Sequence, residues 1–435
     1  MLLFAPLLLL WLSPVVALDL QGAYQLALEN DHVWQAAKAT AQAGQEVLEQ
    51  SKGQLLPNIS LSGETDQVYL KTTRDPFATT REHYNSSNLT LALTQTLYRK
   101  SQFIQLTQAY TKIQGAEADL QSAKQNLAVR VASAYFEALY ADDGLAALQV
   151  QQEATLGQLK AARRIFTAGE GTRTDIDEAQ AALDLNQAQI LQAQQHTTYT
   201  REQLIVLVGQ GIKKLNPINL KRFKPSLTLH SLEDRLALAE TKNPDLLSAQ
   251  KKVEVAEQEV AKANSAHLPT LDLVAKYYDS KNESTQSLNT DYRASQIGVQ
   301  FRVPLYVGGQ IDSAVREAIA RLEVARQQYE QTLQAVNLQI RKEYQNVTEG
   351  VTHLIALDQA AHSINQLVIS TEHGIKAGTR TQIDLLKVFQ QRANVNRDQA
   401  SARYQFLLAK LKLQIIAGES IEDLIDDINF VLGEN

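Results

Sequence analysis

The sequence predicts a mainly α-helical, internally duplicated chain with four β-strands, and three observations predict it. First, short segments return in one order at nearly one offset. Gly171-Thr172-Arg173-Thr174 recurs as Gly378-Thr379-Arg380-Thr381 after 207 residues, Leu56-Pro57-Asn58-Ile59-Ser60-Leu61 recurs as Leu268-Pro269-Thr270-Leu271-Asp272-Leu273 after 212, and Leu97-Tyr98 recurs as Leu305-Tyr306 after 208. Three ordered repeats argue for duplication of a unit far longer than a solenoid repeat. Second, no proline falls in 99–216 or 305–435, so those spans are free to be helix. Third, apolar residues recur there every seven positions, the spacing of a coiled-coil seam.

In order, residues 1–17 read as an export signal. Leu2 to Leu12 is almost wholly apolar, Pro14 breaks the run, and Val15-Val16-Ala17 offers small residues for cleavage. The run is too short to span a bilayer as a helix. No Lys or Arg precedes it, and an uncleaved anchor is the alternative. Residues 18–208 form the first repeat, 209–234 a connector, 235–417 the second repeat and 418–435 a short C-terminal tail.

Each repeat reads helix, strand, polar loop, strand, very long helix, break, long helix. In the first, a helical stretch covers Leu20 to Gly53, a strand runs from Leu56 to about Leu70, and a polar loop with Pro76 runs from Lys71 to His83. A second strand covers Ser87 to Tyr98. In the second, the helix is Pro244 to Ala266, the strands Leu268 to Tyr278 and Ser295 to Tyr306, and the loop Asp279 to Tyr292. Arg99 to Ala168 would be a rod of about 100 Å at 1.5 Å per residue. Its seam is Leu106, Ile113, Leu120, Leu127 and Ala134, with Ala109, Ala116 and Ala123 three residues behind; the second repeat has Leu333, Ile340, Val347, Leu354 and Ala361. Such seams must be buried against neighbouring helices.

The strands alternate. Ile59 and Leu61, then Leu89, Leu91 and Leu93, then Leu271, Leu273 and Ala275, then Ile297, Val299 and Phe301 each define an apolar side opposite a largely polar one. Strands of this length suit a tilted bilayer crossing. Two soluble hairpins packed on helices are the alternative. Four strands cannot close a membrane barrel, and open edges cannot face lipid, so a membrane reading requires several copies to pool their strands.

Composition narrows the function classes. Net charge is −6 with few aromatics (6%), which gives no broad pull towards nucleic acid. The absence of cysteine excludes disulfides, thiol catalysis, thiolate metal sites and a cysteine-linked lipid anchor. The eight histidines show no metal-ligand spacing. No phosphate loop or nucleophile elbow is present, so neither an enzyme nor a cofactor is expected. Lys213, Lys214, Lys221, Arg222 and Lys224 in the connector read as a solvated linker.

The two Gly-Thr-Arg-Thr segments fall where each long helix turns back. Gly169, Gly171 and Gly378 supply backbone freedom for tight turns. Thr174-Asp175-Ile176-Asp177 and Thr381-Gln382-Ile383-Asp384 read as helix starts, each a Thr with an acid three residues on.

These residues carry a resemblance. His267-Leu268-Pro269-Thr270-Leu271-Asp272-Leu273, Val303-Pro304-Leu305-Tyr306-Val307-Gly308-Gly309-Gln310, Ala377-Gly378-Thr379-Arg380-Thr381 with Asp384, Ala134-Tyr135-Phe136, and Ala168-Gly169-Glu170-Gly171-Thr172-Arg173-Thr174-Asp175 together resemble the TolC-like outer-membrane factor family along essentially the whole mature length. The resemblance implies a homotrimer whose twelve strands form one barrel in outer-membrane lipid and whose helices form an α-barrel tunnel across the periplasm. It implies a tip opened by a periplasmic adaptor protein and an inner-membrane pump. It also implies a gate latch in which Arg380 bonds Thr174 and Asp175, and a pore constriction at Asp384. Lys387 stands where some members carry a second acid, one helical turn away, where it can pair with Asp384 instead. Ile375 stands where efflux members place a latch tyrosine. The turn from Gly169 to Asp175 looks like that of members serving type I protein secretion, with small-molecule efflux as the alternative. The alternative from a different class is a periplasmic coiled-coil scaffold that never enters lipid.

Overall fold

The computed structural model describes residues 17–73, 79–225, 231–281 and 290–433. The expected leader lies almost wholly outside the described residues, and so does Pro76. Among the described residues the element order is α1 (Leu20–Asn30), α2 (His32–Gly53), β1 (Asn58–Thr73), β2 (Thr79–Tyr98), α3 (Lys100–Thr167), α4 (Arg173–Val208), α5 (Leu232–Lys242), α6 (Pro244–Asn264), β3 (Thr270–Lys281), β4 (Asp291–Arg302), α7 (Gln310–Lys376), α8 (Gln382–Ile416) and α9 (Ile421–Val431). The series helix, strand, strand, long helix, shorter helix occurs twice. The long helices α3 and α7 run 68 and 67 residues without a break, as proline-free sequence permits. No described helix is long and apolar enough to cross a membrane.

The chain divides into two compact units. The sheet-bearing unit comprises Lys38–Leu120 and Asp245–Thr332. Its four strands form one antiparallel sheet in the order β1-β2-β3-β4. Register places apolar residues opposite one another on one side. Leu61 pairs with Leu91 and Ile59 with Leu93; Leu91 pairs in turn with Tyr277, and Leu93 with Ala275. Ala275 faces Ile297, Leu273 faces Val299 and Leu271 faces Phe301. The apolar side is open to the surroundings: Ile59, Leu61, Ile297, Val299 and Phe301 are each more than half exposed. The other side carries Ser60, Ser62, Glu64, Lys276 and Gln296. β1 and β4 are the sheet's edges.

The strands reach further than alternation alone indicates. β2 begins at Thr79, not near Ser87, because polar residues 79–86 pair one for one with Asp66–Thr73 of β1; backbone hydrogen bonds are indifferent to side-chain polarity. β4 ends at Arg302, and Leu305-Tyr306 lies beyond it, because Pro304 has no N–H to extend the ladder. At the foot of the sheet Arg99 pairs with the buried Asp272 at 2.7 Å.

The helical unit comprises Met1–Ala37, Gln121–Pro244 and Leu333–Asn435. Its core is a set of fully buried side chains from α1, α3, α4, α8 and α9, among them Tyr24, Leu127, Tyr135, Leu204, Leu411, Leu413 and Ile421. In this unit the seam residues Leu127, Ile340, Val347 and Leu354 are buried, while Ala134, Leu333 and Ala361 are half-buried. Burial of each such leucine or isoleucine contributes about 2 kcal/mol. The connector is a structural strap rather than a solvated linker. Leu215 bridges to Leu18, Ile218 bridges to Leu432, and Leu215 and Ile218 are buried while the neighbouring lysines stay exposed. The Tyr135 hydroxyl donates to the Leu18 carbonyl (2.9 Å) and accepts from the Asn216 N–H (3.1 Å), so one core side chain ties the N-terminal segment to the strap.

The helical stretch from Leu20 to Gly53 is interrupted. Asp31 leaves helical geometry at ψ 118°, closing α1, and its carboxylate caps α2 by accepting from the Trp34 N–H at 2.7 Å. Both carboxylate oxygens also accept from Arg130, at 2.9 and 2.8 Å. Burial pushes the Asp31 pKa up, but the bonds from Arg130 and Trp34 outweigh it and the net shift is down. The contribution to stability is therefore present at neutral pH. It drains as pH falls through the folded-state value, which lies below the ordinary aspartate pKa of about 3.9. Asp31→Ala should lower stability by about 3 kcal/mol, from a lost cap and a broken bidentate pair. Thermal unfolding followed by helical circular dichroism checks this, and the deficit should shrink at acid pH.

Candidate functional site at the helical turns

Both long helices of the chain end in the same hydrogen-bonded turn. At the end of α3, Gly169 adopts a left-handed φ of 80°. Its N–H bonds the Phe166 carbonyl (3.0 Å) and the Glu170 N–H bonds the Ile165 carbonyl (3.1 Å). At the end of α7, Gly378 takes φ 74°, its N–H bonds the Ile375 carbonyl (3.0 Å), and the Thr379 N–H bonds the Gly374 carbonyl (2.9 Å). This pair of bonds around a left-handed residue is the Schellman closure, and it needs a residue without a Cβ at the left-handed position.

The returning helices start alike. Thr172 caps α4: its hydroxyl accepts from the Asp175 N–H (3.2 Å), while the Asp175 Oδ2 accepts from the Thr172 N–H (3.0 Å). Thr381 caps α8 with Asp384 in the same reciprocal way, at 3.2 and 3.0 Å. The cap of α4 is thus Thr172 with Asp175, not Thr174 with Asp177. Asp177 instead pairs with Arg173 one turn away, at 3.2 Å. Both spacings fit a Thr with an acid three residues on; the Schellman closure at Gly169 decides between them by ending α3 where Thr172 must begin the next helix.

The structural register between the turns is consequently 209 residues, two more than the Gly-Thr-Arg-Thr repeat indicates. Gly169 corresponds to Gly378, Thr172 to Thr381 and Asp175 to Asp384. Arg380 corresponds to Gly171. Gly171 does not take a positive φ; a Cβ there would lie 3.1 Å from both the Ile165 Cγ2 and the Phe166 nitrogen, so it serves close approach.

Arg380 is exposed beside its turn, and its guanidinium makes no hydrogen bond or ion pair among the described residues. Thr174 is exposed, and its hydroxyl is likewise unbonded; the Asp175 carboxylate uses only Oδ2 in the cap. Within one chain the structure does not bring Arg380 together with Thr174 and Asp175. The Asp384 carboxylate is held below its usual pKa, first by the Thr381 N–H and then by the Thr381 hydroxyl, with Arg380 and Lys387 adding positive field. It is a charged group at neutral pH. Lys387 is exposed one turn further on and acts through space without an ion pair to Asp384. Ile375 packs with the buried Val368, Leu385 and Val388, joining α7 to α8. Leu159, Ala162, Ile176 and Ala179 join α3 to α4 and meet Leu386 of α8.

Thr172 and Gly374 are the residues that sequence reasoning missed. Thr172 had a visible signal, the Thr-x-x-Asp spacing, in competition with a second copy of it. Gly374 lies inside an unbroken helix and carries no local signal. Chemically, the site offers fixed charge and directional hydrogen bonds. Among the described residues no group of three or more histidine or acidic side chains is arranged to hold a metal.

Comparison with known proteins agrees with this geometry. The outer membrane efflux protein family pattern matches residues 23–210 and 236–419, the two segments that each end in one of these hairpins. The chain is 31% identical to the outer membrane protein TolC of Vibrio cholerae, covering 96% of this chain and 94% of that one. It is 32% identical to the alkaline protease secretion protein AprF of Pseudomonas aeruginosa, covering 99% and 91%. Among solved structures, the outer membrane protein VceC of Vibrio cholerae superposes with a TM-score of 0.77 at 19% identity, covering 92% of this chain and 96% of that one. With a family pattern over most of its length and relatives aligned end to end, the chain belongs to the outer membrane efflux protein family, whose TolC-like members are transport ducts and not enzymes.

Proposed function

We propose that three copies of this chain pool their strands into a twelve-stranded outer-membrane barrel and their helices into a periplasmic tunnel. The assembly is the exit duct of a tripartite export machine. The observation that carries this reading is the sheet: four strands, two open edges and an apolar band on one side, built from Ile59, Leu61, Leu89, Leu91, Leu273, Ile297, Val299 and Phe301, that is more than half exposed on both edge strands. An exposed apolar face of that extent marks a lipid or protein partner, and unpaired edges inside lipid require strands from sister subunits. The helical turns are the end that an adaptor and an inner-membrane pump would meet. Arg380 is available to a neighbouring protomer's Thr174 and Asp175, because among the described residues the Arg380 guanidinium and the Thr174 hydroxyl make no hydrogen bond and the α4 cap uses only Oδ2 of Asp175. Three Asp384 carboxylates around one axis would form a cation-attracting constriction.

Protein cargo, handed over by an ABC-type pump in type I secretion, is the favoured substrate class. It rests on the turn from Gly169 to Asp175 and on the full-length similarity to a protease secretion protein. Small-molecule efflux is the second reading, favoured by the family's description.

Membrane extraction tests the duct. The protein should sediment with outer membranes after osmotic shock, require detergent for release, and run as a trimer on unboiled gels. Recovery of a water-soluble monomer from the periplasm would refute the barrel and favour a scaffold. Deleting the chain should then retain protein cargo inside the cell; unaltered secretion with heightened drug sensitivity would shift the cargo to small molecules.

A further inference from the structure

We infer that Gly374 is a positioning residue for Arg380, and that the two turns use opposite solutions to one packing problem. The inference rests on the latch reading of Arg380 for its functional consequence, but its packing part stands apart from that reading.

In the Schellman closure the residue two positions after the left-handed glycine folds back over the helix residue four positions before it. In the first turn these are Gly171 and Ile165; in the second, Arg380 and Gly374. A Cβ on Gly171 would lie 3.1 Å from the Ile165 side chain. A Cβ on Gly374 would lie 2.6 Å from Arg380 Cγ and 3.2 Å from Arg380 Cβ. Each pair thus holds one glycine: the added Cβ would be tight at Gly171 and would force a shift at Gly374. The first turn places the bulk on the helix and leaves the loop bare. The second leaves the helix bare and lays the arginine stem across it. The Gly374 carbonyl also accepts from the Thr379 N–H (2.9 Å), the Arg380 N–H (3.2 Å) and the Thr379 hydroxyl (3.1 Å), so the backbone carrying Arg380 is anchored on the residue its side chain covers.

The clash at Gly374 involves the base of the arginine, not its flexible end. Relief requires a new χ1 rotamer, and a change at χ1 swings a long side chain's tip by many ångströms. Gly374→Ala should thus leave the turn formed, since alanine favours the helix more than glycine does, and should re-aim the guanidinium away from its latch partners.

Two measurements test this. In planar bilayers Gly374→Ala should raise single-channel conductance to at least half the increase produced by Arg380→Ser, and should add nothing in the Arg380→Ser background. A merely structural defect would raise conductance equally in both backgrounds, which would overturn the inference. So would unchanged conductance in Gly374→Ala when Arg380→Ser is raised. In thermal unfolding of the trimer, Gly374→Ile should lower the midpoint, and adding Arg380→Gly, which recreates the Ile165–Gly171 arrangement, should restore it. Absence of rescue would overturn the paired packing. Rescue with an inert Arg380→Ser would uphold the pairing and remove only the latch.

Discussion

Arg380→Ser should raise the single-channel conductance of the reconstituted protein several-fold at neutral pH, with the trimer intact on unboiled gels. Arg380 ends the α7 turn exposed and without a side-chain partner among the described residues, where Thr174 and the Asp175 Oδ1 are equally uncommitted. Guanidinium, hydroxyl and carboxylate are matched donors and acceptors, and their bonds are charge-assisted and directional. An exposed link of this kind contributes only about 0.5–1 kcal/mol. Threefold symmetry supplies three of them, together about 2 kcal/mol, which is about 25-fold in an open-to-closed ratio. Serine removes the charge and reach but leaves the α8 cap at Thr381 and Asp384 in place, so helix loss would not account for the opening. A wild-type conductance in Arg380→Ser would eliminate the latch. High salt should partly mimic the substitution, because exposed ion pairs are screened.

The second large effect is expected at Asp384. Asp384→Asn should abolish most of the channel's cation preference, read as a reversal-potential shift under a salt gradient. Asparagine keeps an oxygen that can accept from the Thr381 N–H, so the change isolates charge from capping. Hydrogen bonds from Thr381 hold the Asp384 pKa down, with Arg380 and Lys387 assisting. The carboxylates are therefore charged at neutral pH, and preference should fade as acidification protonates them. Lys387 makes no ion pair with Asp384, so Lys387→Ala should strengthen the preference only modestly. A reversal potential unaltered in Asp384→Asn would place the selective element elsewhere.

Much of the architecture was legible in the sequence because it rests on local rules. Proline-free spans with seven-residue spacing became α3 and α7, and the alternating segments became β1 to β4 with their apolar residues in register. What was misread depended on partners distant in the chain. The break at Asp31 is held by Arg130, 99 residues away. The polar start of β2 is strand because β1 lies opposite it. The connector's Leu215 and Ile218 are buried because residues 18 and 432 bridge to them.

The turns show the same division at smaller scale. The residue types at each tip, glycine for a left-handed closure and Thr-x-x-Asp for a helix start, were set by the sequence alone, because backbone freedom and capping are properties of a few neighbouring residues. Which Thr caps α4, the register of 209 between the repeats, and the fit of the Arg380 stem over Gly374 were decided only in three dimensions. Two caps fit the same string, and the choice falls to the one that lets the preceding helix end and the returning helix pack. Tertiary structure settles such ties because packing a helix costs or gains more free energy than the difference between two equivalent caps.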